Sequence, residues 1–155
     1  MILCLLAGLL AGCQQAPLPT PDTPVSSEAQ GAFGQTERAF VELSIGTNEQ
    51  VLKLLENGGP AEMVAHRREE LERLRAVLDV PYVNNHVGHD MPGMPTDAEI
   101  QLAATDPQAR DQFVRAHLTE SLKVLENARV DLKHPPTVEI VELMERHRTA
   151  ELAAR

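Results

Sequence analysis

Met63-Val64-Ala65-His66-Arg67-Arg68-Glu69-Glu70-Leu71 recurs without a gap as Met144-Glu145-Arg146-His147-Arg148-Thr149-Ala150-Glu151-Leu152, with five of nine positions identical. Met, His and Glu of each copy are separated by three and then four residues, which puts them on one face of a helix. A second recurrence lies ahead of each copy. Phe40-Val41 returns as Phe113-Val114, and each is followed by a largely apolar run that ends near a Leu-Glu-Asn sequence, at 55–57 and 125–127. A chain that repeats two helical segments in the same order predicts two helical hairpins related by duplication. The expected fold class is therefore all-α, an antiparallel four-helix bundle with a short extra helix after the central loop.

Local punctuation supports the same division. Apolar spacing predicts a helix over 36–56, with Phe40, Leu43, Val51, Leu54 and Leu55 facing a core and Asn57-Gly58-Gly59 ending it. Pro60 opens a second helix that carries Met63, Val64, Leu71, Leu74 and Val77 and stops before Pro81. Thr96 with Glu99 has capping-box spacing and predicts a short helix through Ala104, while Asp106-Pro107 predicts the start of a longer one. That helix is expected to run over 107–132, with Phe113, Leu118, Leu122, Val124 and Leu125 inward, until His134-Pro135-Pro136 breaks it. A last helix is expected over 137–153. Strand-type alternation is absent from the sequence.

Composition narrows the function classes. The 155 residues carry 14 basic and 23 acidic side chains, a formal charge of −9, which repels nucleic acid. Aromatic residues make up only 3% and Trp is absent, so the core must be built from Leu, Val, Ile, Ala and Met.

The first 12 residues are an uncharged apolar run, shorter than the roughly 20 residues that span a bilayer. The run closes with Leu10-Ala11-Gly12-Cys13, which resembles the bacterial lipobox, where the cysteine thiol receives diacylglycerol before cleavage. The positive n-region that usually opens such a leader is missing, since the first basic residue is Arg38. The expected organisation is a leader over 1–12, lipidated Cys13 with a tether over 13–35, and a helical domain over 36–155. Its halves, 36–80 and 96–155, are joined by a loop over 81–95. Pro17, Pro19, Pro21 and Pro24 keep the tether extended. The expected location is the bacterial cell envelope, on the outer side of a membrane held by the lipid. With Cys13 lipidated and Cys4 removed, a metal site must use His, Met and carboxylates.

The two halves, joined through Met91-Pro92-Gly93-Met94 and the short helix from Thr96, resemble the family described as domain of unknown function 305. The resemblance covers about 38–152. It implies a ferritin-like fold, and it implies association with copper and the bacterial envelope. The family ends each repeat with a Gln followed by Glu-Ile; here Arg67 precedes Glu70-Leu71 and Arg148 precedes Glu151-Leu152. The chain also departs from the family pattern. Its usual His-His pairs are replaced by Thr47-Asn48 and Glu120-Ser121, and the Met before each pair by Ser44 and His117. Those helices are therefore not expected to carry the metal.

The densest set of candidate ligands is His86, His89, Asp90, Met91 and Met94, within nine residues. Thioethers suit Cu(I) and imidazoles suit both copper states, whereas Mg and Ca prefer oxygen. The bland alternative makes the two methionines a plug at the end of the bundle. A second candidate is the repeated set Met63, His66, Glu70 and Met144, His147, Glu151, open to a symmetrical metal site. The alternative places Met in the core, His at its border and Glu on the surface, paired with a neighbouring Arg. His117 reads as a half-buried core histidine or a further ligand, and His134 as a helix-end residue favoured by the dipole. Neither set has the Glu-x-x-His order of di-iron bundles, and no Gly-x-Ser-x-Gly elbow or phosphate loop occurs, so no enzyme is expected. The expected function is a membrane-anchored copper-binding module for buffering or delivery, through His86, His89, Met91 and Met94. The alternative is a structural or protein-interaction lipoprotein of the same fold.

Overall fold

The structure, a computed structural model, describes residues 31–56, 58–78, 80–83 and 91–155. It is all-helical, with no strand among these residues. Helices α1 (Gln35–Glu56), α2 (Ala61–Val77), α3 (Asp97–Thr105), α4 (Pro107–Arg129) and α5 (Pro135–Ala153) follow in chain order. The leader, Cys13 and most of the tether lie outside the described residues. None of the described helices is long and apolar enough to cross a membrane.

The helix ends follow from local chemistry. Past α1, Gly58 takes φ 104°, a conformation costly for any residue with a Cβ, and the Gly59 N–H donates to the Leu55 carbonyl at 2.7 Å. Helix α3 begins on a complete capping box. The Thr96 hydroxyl accepts from the Glu99 N–H (3.3 Å), and the Glu99 carboxylate accepts from the Thr96 N–H (2.8 Å). Asp106 caps α4 by accepting from the N–H groups of Gln108 (2.8 Å) and Ala109 (3.0 Å), ahead of Pro107 in the first turn.

Two boundaries differ from expectation. Helix α4 stops at Arg129 rather than Leu132, because the Asp131 and Leu132 N–H groups both turn back to the Ala128 carbonyl and Leu132 drops into the core. Pro135 and Pro136 open α5 instead of breaking α4, since a first-turn proline lacks only an N–H that would have had no partner there. His134 is therefore the N-cap of α5, where the helix dipole disfavours a cation, and the dipole account of this residue fails. Its Nδ1 lies 2.9 Å from the Thr137 hydroxyl, and its ring meets Phe33 edge-on.

Helix α1 packs on α2, α4 on α5, α2 on α5, and α3 on α4. The core is divided in two. One apolar cluster gathers Phe40, Val41, Ile45, Leu71, Leu74, Leu125, Leu132, Ile140, Val141 and Met144. The other gathers Leu54, Leu55, Met63, Ala103, Val114 and Leu118. Along each of the four long helices the chain passes from one cluster to the other. Helices α1 and α5 leave the first cluster for the second, and α2 and α4 do the reverse. Between the clusters each helix contributes buried polar residues: Asn48, Arg67 with Glu70, Ser121, and Arg148 with Glu151.

A single carboxylate fastens the start of α1 to the turn between α4 and α5. Glu37 accepts N–H groups from Lys133 (2.9 Å), Gly34 (3.2 Å) and His134 (3.4 Å). Burial pushes its carboxyl up, but these backbone donors together outweigh burial and hold it below the usual 4.5. A depressed folded-state pKa means that this contribution is fully present above about pH 4.5 and is lost as pH falls through the folded value. Glu37→Gln should lose about 1–3 kcal/mol at pH 7. The difference from wild type, read by urea unfolding at pH 7 and pH 3, should shrink at the lower pH.

Candidate functional site

The repeated helix segments meet face to face at the centre of the molecule. Arg67, Glu70 and Arg148 are 1%, 0% and 2% exposed, and Glu151 is buried with them. Arg67 Nη2 donates to both oxygens of Glu151 (2.5 and 2.6 Å), and Nη1 donates to Glu70 Oε2 (3.1 Å). Arg148 Nη1 donates to Glu70 Oε1 (2.7 Å), Nη2 to Asn48 Oδ1 (2.9 Å) and Nε to Ser121 Oγ (2.9 Å). The Asn48 amide donates in turn to Glu70 Oε2 (3.0 Å). Two arginines thus face two glutamates, and all four carboxylate oxygens are taken.

Each histidine of the repeat attaches to the carboxylate of the other hairpin. His66 Nδ1 lies 2.8 Å from Glu151 Oε1, and His147 Nδ1 lies 2.8 Å from Glu70 Oε1. A carboxylate only accepts, so both Nδ1 atoms carry the hydrogen. The two rings stack with centroids 3.8 Å apart and planes 6° from parallel. They are the part of the cluster nearest solvent, with side chains 20% and 13% exposed. His66, Glu151 and Met63 also line a cleft of about 490 Å³ with Asp111, Arg115 and Arg155. Burial pushes the Glu70 carboxyl up, the Glu151 charge adds to this, and the His147 hydrogen bond and the Arg67 charge oppose it.

The repeated Met, His and Glu residues are thus in the places the bland reading gave them, with one correction. Glu70 and Glu151 pair with arginines, as expected, but in the interior rather than on the surface. Helical spacing identified the shared face, yet a face rich in Arg and Glu reads as solvated unless each charge has a buried partner. Met63 and Met144 lie in the two apolar clusters, and the Met63 sulfur accepts from Arg155 Nη2 (3.1 Å). Among the described residues, no group of three or more His, Cys, Asp or Glu is arranged to hold a metal ion.

His117 is a half-buried histidine with a carboxylate partner. Its Nε2 lies 3.2 Å from Glu99 Oε2, and its side chain is 15% exposed. Burial pushes the Glu99 carboxyl up, but the Thr96 N–H and hydroxyl, with His117, hold it below the usual carboxylate range. Of the central loop, His86, His89 and Asp90 lie outside the described residues. Met94 is 3% exposed, whereas Met91 is only half-buried. Gly93, at φ 78°, lies directly on α4: a Cβ there would meet the Ser121 backbone at 3.3 Å.

Sequence reasoning missed Arg67, Arg148, Asn48 and Ser121 as members of the cluster. A signal existed, because Asn48 follows Phe40 by the same eight residues that separate Ser121 from Phe113. Comparison with family models, with curated proteins and with solved structures finds no match for this chain.

Removing one charge from this cluster strands the others in a dry interior, which costs about 3–5 kcal/mol. Glu70→Ala should lower stability by that amount, measured by chemical denaturation, and Glu70→Ala with Arg148→Ala should cost less than the two single losses added.

Proposed function

We propose that this chain is an extracytoplasmic, lipid-anchored helical module that binds copper for buffering or delivery, through His86, His89, Met91 and Met94. We further propose that it is a divergent member of the domain of unknown function 305 family, with a ferritin-like antiparallel four-helix bundle. The opposite running of α1 against α2 and of α4 against α5 supports the bundle, and so does the complete capping box that starts α3 after the central loop. Cys13 supplies the anchor in this reading.

The observation that carries the copper reading is the donor set itself. Two imidazoles, a carboxylate and two thioethers fall within nine residues, a mixture that selects copper over hard cations. Gly93 lies on α4, Met94 is buried, and Met91, only half-buried, remains accessible. A second reading, a structural or interaction lipoprotein without a metal, is favoured by the burial of Met94, as a plug would require.

Calorimetric titration of the chain with Cu(I) and Cu(II) separates the two. Binding that disappears in His86→Ala/His89→Ala is the expected result. Wild-type binding no tighter than about 10 μM, roughly −7 kcal/mol, would leave only the structural reading.

A further inference from the structure

One polar atom of the central cluster is left over. Arg67 is 1% exposed, and its Nε is buried with no hydrogen-bond partner among the described residues. The equivalent atom of the other repeat, Arg148 Nε, donates to Ser121 Oγ. Arg67 does not copy that bond through Asn48, the matching position in its own half, whose Oδ1 accepts from Arg148 and whose amide donates to Glu70. An orphaned buried N–H is costly, because it gives up its bond to water and gains none in return.

Arg67 and Arg148 line a small cavity of about 10 Å³, shared with Thr47, Gly93, His117 and Ser121 among apolar neighbours. The chemistry of its walls restricts the occupant. A buried guanidinium opposes a cation, and its N–H requires an acceptor lone pair. The volume suits a single water, which needs about 10–15 Å³, and excludes a phosphate or other polyatomic anion. A buried water also needs two or more polar partners, and His117 can supply the second. The Glu99 carboxylate only accepts, so His117 Nε2 carries the hydrogen, and in the neutral imidazole Nδ1 is then the acceptor.

We propose that this cavity is a binding site for one long-lived water, which accepts from Arg67 Nε–H and donates to His117, closed over by Gly93 of the central linker. The water joins the Glu99–His117 pair at the start of α3 to the Arg–Glu cluster between the hairpins. It gives His117 a role as an acceptor in a hydrogen-bond chain, and it makes the Met-Pro-Gly-Met linker the lid of that chain.

The test is nuclear Overhauser spectroscopy of the ¹⁵N-labelled full chain in water, on the Arg67 Hε resonance assigned by its loss in Arg67→Lys. The expected result is a cross-peak from Hε to the water frequency, of opposite sign in the laboratory and rotating frames, as a water bound for longer than nanoseconds gives. His117→Phe, which keeps an aromatic ring and removes both nitrogens, should abolish that cross-peak with helix content unchanged by circular dichroism. Absence of the cross-peak in wild type overturns the site. Its persistence in His117→Phe overturns the bridge to His117. A crystal structure of wild type serves where the variant fails to fold: density for one water within hydrogen-bond distance of both Arg67 Nε and His117 supports the proposal, and protein atoms filling the cavity refute it.

Discussion

The crossing of Arg67 and Arg148 with Glu70 and Glu151 is the interaction on which the rest of the molecule depends. Taking four charges out of water costs several kcal/mol for each ion, and mutual attraction repays this only when hydrogen bonds fill the remaining positions. The cluster comes close to that condition. Every carboxylate oxygen has a donor, and Asn48 and Ser121 complete Arg148. Pairs on the surface, such as Arg73 with Glu69 or Lys123 with Glu120, contribute only about 0–1 kcal/mol each and constrain nothing at a distance. The buried pairs differ because any slip of one hairpin against the other would leave charges unpaired in a dry interior. Their importance is to register, more than to net stability.

The rest of the packing is arranged around that layer. Apolar clusters lie on either side of it, and each long helix supplies both clusters and the layer between. The Glu of each repeat can reach the other hairpin's His because the segments face one another across a near-symmetrical seam. The symmetry is imperfect. Arg67 binds both glutamates, whereas Arg148 binds only Glu70 and turns its other nitrogens to Asn48 and Ser121. Two copies of one segment have thus taken different roles in a shared network, the stacked histidines remaining the most nearly equivalent part.

Much of this was legible in the sequence, and the omissions have physical causes. Apolar spacing located the four long helices, and the Thr96/Glu99 spacing predicted the short one with a capping box that forms in full. Periodicity also put Met, His and Glu of each repeat on one face. It could not say that this face is buried, because burial of an Arg or Glu depends on partners far along the chain: Arg67 meets Glu151, and Arg148 meets Asn48. Asn48 and Ser121 drew attention only as positions where a resembling family has histidines, so their use as hydrogen-bond partners went unread. The prolines at 135 and 136 were read as a stop when they are a start, since the same residue serves either side of a helix boundary.

Asn48 and Ser121 also bear on where a cation can sit. Asn48 and Ser121 both accept from the Arg148 guanidinium, so a fixed positive charge occupies the space beside them. Two unit positive charges about 4 Å apart repel by about 4 kcal/mol at an effective dielectric constant near 20, a factor of nearly a thousand in affinity. The carboxylates that could offset this are already bound to the two arginines and the two histidines. Asn48 and Ser121 are therefore held beside an internal guanidinium that opposes a metal at the same place. The copper chemistry proposed for this chain rests accordingly on the donors of residues 86–94, and the core between the hairpins is left to hold the two halves in register.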